Sequence, residues 1–399
     1  MQAMKKVIYG FGISGKWAAD QLDDVVAFVD TDIKKHGECY RGVTVRGPAF
    51  LRSIDDKTTE VIVSVVDIMD VLPLLDKCGI SNWKPLSHFI DFDLPLVNRT
   101  EESDSFLAYS LKTVKSCQES YLDNDALFIR SVDLVITEKC TLKCRDCANL
   151  MQFFESPKNI DANSAINGVK ALAQRCNMIN EVRVIGGEPF INKDIYKIIS
   201  ELNTIENINS IVIYTNGMVP LKKEHVSLLQ GEKIHFSVTD YGEIGKNTAK
   251  TTAFLEANEI SHRVHPPEHW TDSGRIEKFH RSDAELTELF SNCCGKNLFT
   301  LVEDRFYRCP FAANADSLGA VPRNDANSVS VFSTQSDLKK YTRDIPFLPA
   351  CNFCPGRSFD APEIIPAVQV KSAIPYERFS CEHGDLNEPL QGMHLAGEN

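Results

Sequence analysis

The sequence predicts an α/β fold in which an α/β domain is followed by a parallel β/α series, either a sheet or a partial parallel (β/α) barrel, and then by a small α+β domain. Short apolar strands alternate with amphipathic helices over residues 1–96 and again over 131–280, and such alternation is typical of parallel β/α units. After residue 281 the alternation gives way to a helix, a hairpin and a tail rich in proline and glycine. A chain of 399 residues also exceeds one ordinary core, so several domains are expected. The predicted limits are 1–96, a linker at 97–130, 131–280, 281–360 and a tail at 361–399.

Composition argues against two classes of partner. The formal net charge of −12 opposes attraction to phosphate backbones, so no nucleic acid is expected. No stretch approaches the roughly 20 uninterrupted apolar residues of a membrane-spanning helix, and the amino terminus does not read as a secretion signal. A cytoplasmic protein is therefore expected. Thirteen cysteines in such a chain, several of them clustered, indicate metal ligands rather than disulfides.

The first domain opens with a glycine-rich turn between a strand and a helix. A strand is predicted at 7–9, the turn at 10–15, a helix at 14–22 and a second strand at 25–29. Glycines in such a turn let the backbone approach a phosphate at a helix amino terminus, while a carboxylate after the second strand reaches a ribose. The predicted nucleotide-binding residues are Gly10, Gly12, Gly15 and Asp30. The alternative is a module of this Rossmann-like kind that has lost its ligand and only docks or dimerises.

The second α/β series places its functional loops at the carboxyl ends of its strands. Strands are predicted at 132–137, 181–185, 211–215 and 234–238. A helix between the second and third carries one apolar stripe at the i, i+3, i+4, i+7 spacing, formed by Ile195, Ile198, Ile199 and Leu202.

Directly after the first of these strands stands the loop Cys140-Thr-Leu-Lys-Cys144-Arg-Asp-Cys147. Three thiolates on a short loop can hold three corners of an iron–sulfur cubane and leave one iron open for chemistry. A zinc site is the alternative, but four-coordinate zinc needs a fourth ligand, and no His or Cys lies between residues 148 and 175.

This CxxxCxxC loop resembles the signature of the radical S-adenosylmethionine (radical SAM) superfamily. Gly186-Gly187-Glu188-Pro189, at the end of the next strand, resembles the GGEP motif of that superfamily. The resemblance implies a barrel of the radical SAM type, a 4Fe-4S cluster, and S-adenosylmethionine cleaved to a 5'-deoxyadenosyl radical. It implies cofactor contacts at the GGEP motif, and Asn216 and Ser237 occupy later strand ends where such contacts are usual. A buried polar turn is the alternative at those two positions. A flavodoxin- or ferredoxin-type electron donor is also implied.

A second group of cysteines comprises Cys293-Cys294, Cys309 and Cys351-Asn-Phe-Cys354. With the predicted hairpin at 298–308, it resembles the twitch domain, a short form of the SPASM domain, and implies a second, fully ligated 4Fe-4S cluster. The further cysteines of SPASM are missing, and zinc is an alternative for four thiolates. The spacing favours Cys294 as the ligand, beside Cys309, Cys351 and Cys354. Cys293 is then surplus and a candidate hydrogen-atom donor.

The amino-terminal domain resembles nucleotide-sugar-binding domains found beside acyltransferases of bacterial polysaccharide pathways. The resemblance rests on the glycine turn, the strand ending at Asp30 and the segment Gly42-Val-Thr-Val-Arg-Gly47. Together the motifs imply an oxidoreductase acting on a sugar, aminosugar or nucleotide-linked sugar, with oxidation of a carbinol favoured. A radical epimerase or a peptide maturase is the alternative within this class. A metal-stabilised nucleotide-sugar-binding protein without turnover is the alternative from another class.

Overall fold

The computed structural model describes residues 4–123, 125–267, 270–358 and 361–379. The chain forms two compact units. Unit 1 comprises residues 1–134, 169–185 and 193–266, and unit 2 comprises 135–168, 186–192 and the chain from 267 onward.

The first sheet of unit 1 has six strands in the order β3-β4-β2-β1-β5-β6. Strand β1 is parallel to β2 and β5, and only β3 is antiparallel to its neighbour. Apolar clusters cover both faces, because Ile8 faces one cluster while Val7 and Tyr9 face the other. The elements are β1 (Lys5–Tyr9), α1 (Ile13–Gln21), β2 (Val25–Val29), β3 (Cys39–Tyr40), β4 (Val43–Arg46), β5 (Thr59–Val63), α2 (Leu72–Lys77) and β6 (Trp83–Pro85). The predicted strand–turn–helix–strand opening is confirmed.

Helix α3 (Asp104–Leu122) lies in the region predicted as a linker, yet it packs on both sheets of unit 1. Its Leu107 and Leu111 belong to the core of the first sheet. On the other side, the Tyr109 hydroxyl donates a hydrogen bond to Glu181 of the second sheet. The helix is therefore part of the core.

The second sheet of unit 1 carries the strands that were predicted to form a parallel series. Their order is β7-β8-β9-β10-β11, and the pairs β8–β9, β9–β10 and β10–β11 are parallel. The carboxyl ends of β7 and β8 continue into unit 2. The predicted apolar stripe of α5 is confirmed, since all four residues are buried. The elements are β7 (Phe128–Thr137), α4 (Ala162–Ala173), β8 (Met178–Gly186), α5 (Ile195–Asn203), β9 (Ile208–Thr215), α6 (Val226–Leu229), β10 (Ile234–Thr239), α7 (Thr248–Ala257) and β11 (His262–His265).

Unit 2 contains the α+β region and most of the cysteines. The predicted hairpin is confirmed: Leu301 pairs with Phe306, and Glu303 adopts a left-handed conformation in the turn. The described part of the tail is ordered against this unit, as in the bond from the Phe379 amide to the Gly319 carbonyl. The elements are α8 (Asp283–Ser291), β12 (Phe299–Val302), β13 (Arg305–Tyr307), α9 (Pro310–Leu318), β14 (Ser328–Ser330) and α10 (Gln335–Arg343).

Among the described residues, none of the helices has both the length and the apolar character needed to cross a bilayer.

We expect Tyr109→Phe to destabilise unit 1 by about 1–3 kcal/mol, because the buried Glu181 carboxylate loses a hydrogen-bond donor. Urea unfolding measures this loss. In a double-mutant cycle, Tyr109→Phe should cost much less in a Glu181→Ala background, which has no side-chain acceptor, and equal costs in both backgrounds would contradict the role given to this bond.

Candidate functional site

The loop after β7 gathers Cys140, Cys144 and Cys147 within unit 2. Two tight turns fold it, with the Cys147 amide donating to the Cys144 carbonyl at 3.3 Å and the Leu150 amide to the Cys147 carbonyl at 2.9 Å. The Leu142 amide donates to the Cys140 sulfur at 3.4 Å. Burial, and to a lesser degree the neighbouring thiols, raises the pKa of Cys140 to about 12 and that of Cys144 to about 11. A metal must therefore displace protons from these thiols when it binds.

The GGEP motif is in direct backbone contact with the start of this loop. The Gly187 amide donates to the Thr137 carbonyl at 3.0 Å, and the Glu188 amide donates to the Lys139 carbonyl at 2.8 Å. A Cβ atom on Gly186 would lie 2.1 Å from the Thr137 oxygen, and one on Gly187 would lie 2.2 Å from the Lys139 oxygen. Only glycine permits this approach at both positions.

Glu188 is fully buried beside this turn, and Pro189 begins a short 3-10 helix. One Glu188 carboxylate oxygen accepts from the Phe190 amide at 3.3 Å. Glu188 is also close enough to Cys140 for its charge to raise the pKa of that thiol. The two motifs singled out in the sequence thus meet in space, and the pair presents three thiols and a carboxylate.

Four cysteines of the α+β region line one cavity in unit 2: Cys293, Cys309, Cys351 and Cys354. We call this the four-cysteine cavity. Backbone amides donate to three of its sulfurs, from Gly295 to Cys293 at 3.3 Å, from Ala312 to Cys309 at 3.4 Å and from Gly356 to Cys354 at 3.4 Å. Such donors stabilise a thiolate, so the cavity suits metal-bound sulfur.

The geometry favours Cys293 over Cys294, which the sequence spacing had favoured. Cys293 follows α8 and lines the cavity, whereas Cys294 is not among the lining residues. The Cys294 amide is held by the Arg357 carbonyl at 2.7 Å. The choice from spacing relied on the position of Gly295, but the course of the chain after α8 decides which of two adjacent side chains faces the cavity.

Three arginines lie close to the cysteines of this cavity. Arg281 donates to the carbonyls of Cys351 and Cys354, both at 2.8 Å, and Arg357 lines the cavity itself. Arg308 is only 5% exposed, and burial lowers its pKa. Among the described residues Arg308 has no carboxylate at salt-bridge distance; its bonds go to the Lys296 and Tyr341 carbonyls and to Asn297. Burying an unpaired cation is costly, and nearby thiolates would offset that cost.

The remaining predicted cofactor contacts lie in unit 1. Asn216 is buried after β9, and its side-chain oxygen accepts from the Met218 amide at 3.0 Å. Ser237, on β10, pairs its hydroxyl with the Nε2 atom of His265 on β11 at 3.0 Å. Asn216 thus follows the carboxyl end of β9, Ser237 lies two residues before the end of β10, and their contact with a cofactor stays a prediction.

In the amino-terminal domain the glycine turn is closed by Asp30. This carboxylate accepts from the Phe11 amide at 2.8 Å and the Asp32 amide at 2.9 Å, and it pairs with Lys35 at 3.2 Å. Burial opposes its ionisation, but these donors prevail and hold the pKa of Asp30 below its usual range. Asp30 therefore has a structural task that the sequence did not reveal, and its contact with a ribose remains a prediction.

The glycines of this turn differ in their surroundings. A Cβ atom on Gly15 would lie 2.0 Å from the Gly10 carbonyl oxygen, and Gly10 has a φ of +109°. Gly12, by contrast, faces open space. Gly10 and Gly15 are thus required by the turn itself, while Gly12 is free to approach a ligand.

Comparison with known proteins finds a family match within the second α/β series. Residues 134–269 match the family model described as Radical SAM superfamily. The chain is thus similar to radical SAM proteins over these residues, and that family implies a 4Fe-4S cluster and S-adenosylmethionine.

Curated relatives named GTP 3',8-cyclase match part of the chain. The protein from Staphylococcus epidermidis is 28% identical over 141 residues, which cover 32% of this chain and 41% of the relative. The protein from Clostridium acetobutylicum is 36% identical over 93 residues, covering 23% and 29%. The chain thus spans less than half the length of these relatives.

Solved structures also align with part of the chain. BtrN in complex with AdoMet and 2-DOIA has a TM-score of 0.39 and 14% identity, covering 58% of this chain and 94% of that one. Streptococcus suis SuiB bound to S-adenosylmethionine has a TM-score of 0.31 and 14% identity, covering 58% and 49%.

Gly187→Ala should disrupt the cysteine loop, because the added methyl group would meet backbone rather than a movable side chain. We expect a loss of about 1–3 kcal/mol in stability, together with impaired iron binding. Gly12→Ala is the matched control, since its methyl group meets nothing within 4 Å. Thermal unfolding and iron analysis of both variants check this, and equal behaviour of the two would contradict the close approach described.

Proposed function

We propose that this chain is a radical SAM oxidoreductase that oxidises a carbinol of a sugar, aminosugar or nucleotide-linked sugar to a ketone. The observation that carries the proposal is the occurrence of two cysteine sets in unit 2. The first has three thiols beside a buried carboxylate, and the second has four thiols around one cavity. A radical enzyme that oxidises its substrate needs both a site that starts the radical and an acceptor for the last electron.

Cys140, Cys144 and Cys147 are the proposed ligands of a 4Fe-4S cluster, and three thiolates leave one iron without a protein ligand. When bound, the cluster and S-adenosylmethionine supply the 5'-deoxyadenosyl radical that abstracts a hydrogen atom from the substrate. Glu188 is proposed to pair with the cofactor's ammonium group, since it is a buried carboxylate next to the loop. Gly186 and Gly187 bring it there, while Asn216 and Ser237 are proposed as further cofactor contacts.

Cys293, Cys309, Cys351 and Cys354 are the proposed ligands of the second 4Fe-4S cluster. Four thiolates ligate every iron, so this site suits electron acceptance rather than binding of the substrate. Zinc is the alternative occupant of four thiolates, and analysis of bound iron and zinc distinguishes the two.

The arginines close to these cysteines support a redox role. Reduction adds a negative charge, and Arg281, Arg308 and Arg357 provide positive charge where it would appear. Because Cys293 is proposed as a ligand of the second set, it is no longer a surplus thiol. The prediction that it donates a hydrogen atom to an epimerised product therefore loses support. Oxidation is accordingly the favoured outcome.

The sugar-type substrate rests on the amino-terminal domain, for which Gly10, Gly12, Gly15 and Asp30 are the proposed nucleotide-binding residues. An external one-electron donor of the flavodoxin or ferredoxin type is proposed to reduce the first cluster. The curated relatives act on GTP by name, but they match less than half of their own length, so GTP is not proposed as the substrate.

The direct test is anaerobic incubation with S-adenosylmethionine, a reductant and a panel of nucleotide sugars and aminosugars. We expect 5'-deoxyadenosine together with a product two hydrogens lighter than its substrate. Absence of 5'-deoxyadenosine with every candidate would favour a binding protein without turnover, and an isobaric product carrying solvent deuterium would favour an epimerase.

Cys144→Ala is expected to abolish S-adenosylmethionine cleavage and to remove about half of the bound iron, since two thiolates should not hold a cubane in water. Iron analysis and chromatography of 5'-deoxyadenosine measure both effects. Cys176→Ala, which removes a buried thiol outside both sets, is the control and should retain cleavage. Full iron and normal cleavage in Cys144→Ala would refute the assignment.

The pair Cys293→Ala and Cys294→Ala tests the second set with neighbouring residues as each other's control. Cys293→Ala should reduce iron from about eight to about four atoms per chain and abolish the oxidised product while some 5'-deoxyadenosine still forms. Cys294→Ala should keep both clusters and turnover. The opposite pattern would return the assignment to Cys294.

A further inference from the structure

The described carboxyl-terminal segment, residues 361–379, runs beside the first cysteine loop inside unit 2. The Arg145 amide donates to the Val368 carbonyl at 2.7 Å, and the Val370 amide donates to the Lys143 carbonyl at 2.8 Å. Cys144 and Gln369 stand opposite each other in this short antiparallel bridge. The segment is thus fixed to the loop by its backbone, and a side chain 225 residues away in sequence faces a proposed cluster ligand.

The Gln369 amide group makes three bonds that fix its orientation. Its oxygen accepts from the Lys143 amide at 2.8 Å. Its nitrogen donates to the Ala367 carbonyl at 2.8 Å and to the Cys144 sulfur at 3.3 Å. If the oxygen and nitrogen were exchanged, the side-chain oxygen would face the Ala367 carbonyl oxygen and the side-chain nitrogen would face the Lys143 amide. Both contacts would be repulsive, so the N–H group must face the sulfur.

This donor differs in kind from those of the other sulfurs. Cys140 and three cysteines of the four-cysteine cavity receive backbone amides that lie two or three residues farther along the chain. Cys144 receives a side chain from a distant segment. A backbone donor comes with the loop, whereas this one depends on the placement of the carboxyl-terminal segment and can be removed by a single substitution.

We propose that Gln369 is a positioning residue that raises the reduction potential of the cluster held by Cys140, Cys144 and Cys147. The inference rests on the proposed function, because it assumes that cluster. Accepting one electron adds one negative charge to the cluster and its sulfurs. An N–H donor on Cys144 stabilises that added charge more than it stabilises the oxidised state, so the cluster is more easily reduced.

The test is a redox titration of the reconstituted full-length chain, followed by electron paramagnetic resonance. At a fixed solution potential, Gln369→Leu should lower the ratio of reduced to oxidised first cluster about tenfold, which equals 59 mV for a one-electron couple. Gln369→Glu keeps the acceptor for the Lys143 amide but replaces the N–H donor with a negative charge, so its shift should have the same direction and be larger.

Val370→Ala is the matched control, since it alters the same segment without touching the sulfur, and its potential should equal that of the parent. Iron content should be unchanged in all three variants. Full iron with an unshifted potential in both Gln369 variants would overturn the inference alone. Loss of iron from Gln369→Leu with an unshifted Gln369→Glu would also overturn it, because the role would then be structural. A parent without any titrating iron–sulfur signal would refute the proposed function and this inference with it.

Discussion

The site depends on one constraint, which is that several cysteine sulfurs must be held away from water in a form that can carry negative charge. Burial alone works against this, since it raises the pKa of the thiols, as it does for Cys140 and Cys354, each to about 12. Two features of the chain favour negative charge on the sulfurs. Backbone N–H groups donate hydrogen bonds to them, and arginines lie close to the second set. Much of the local backbone in unit 2 follows from this need.

The close contact between the GGEP turn and the cysteine loop shows how the fold meets the constraint. Strands β7 and β8 are neighbours in the sheet, and the Gly187 amide after β8 donates to the carbonyl of Thr137 at the end of β7, so the segments that follow them begin as neighbours. Gly186 and Gly187 remove the side chains that would hold these segments apart, and Glu188 can then be buried next to Cys140. The strand order thus brings together two motifs that are far apart in the sequence.

Much of this arrangement was predictable from sequence, and the exceptions have physical causes. The strands, the hairpin and the α5 stripe follow from periodicity, and the spacing of Cys140, Cys144 and Cys147 predicts that they share one loop. That Cys293 rather than Cys294 lines the cavity did not follow, because adjacent side chains diverge and only the course of the chain after α8 decides which faces the cavity. Gln369 carried no local signal at all, since its partner is 225 residues away. Arg308 can be noticed in the sequence because it directly precedes Cys309. Only the structure shows that its side chain is buried and has no described carboxylate at salt-bridge distance.

The central claim is that Cys140, Cys144 and Cys147 hold a cluster with one iron left open for S-adenosylmethionine. The most direct measurement is the electron paramagnetic resonance spectrum of the reduced, reconstituted chain with and without S-adenosylmethionine. The account predicts an iron–sulfur signal whose g-values change when S-adenosylmethionine is added, and a Cys144→Ala variant that shows no such change. An identical spectrum with and without S-adenosylmethionine, in a chain that retains its full iron, would contradict the claim.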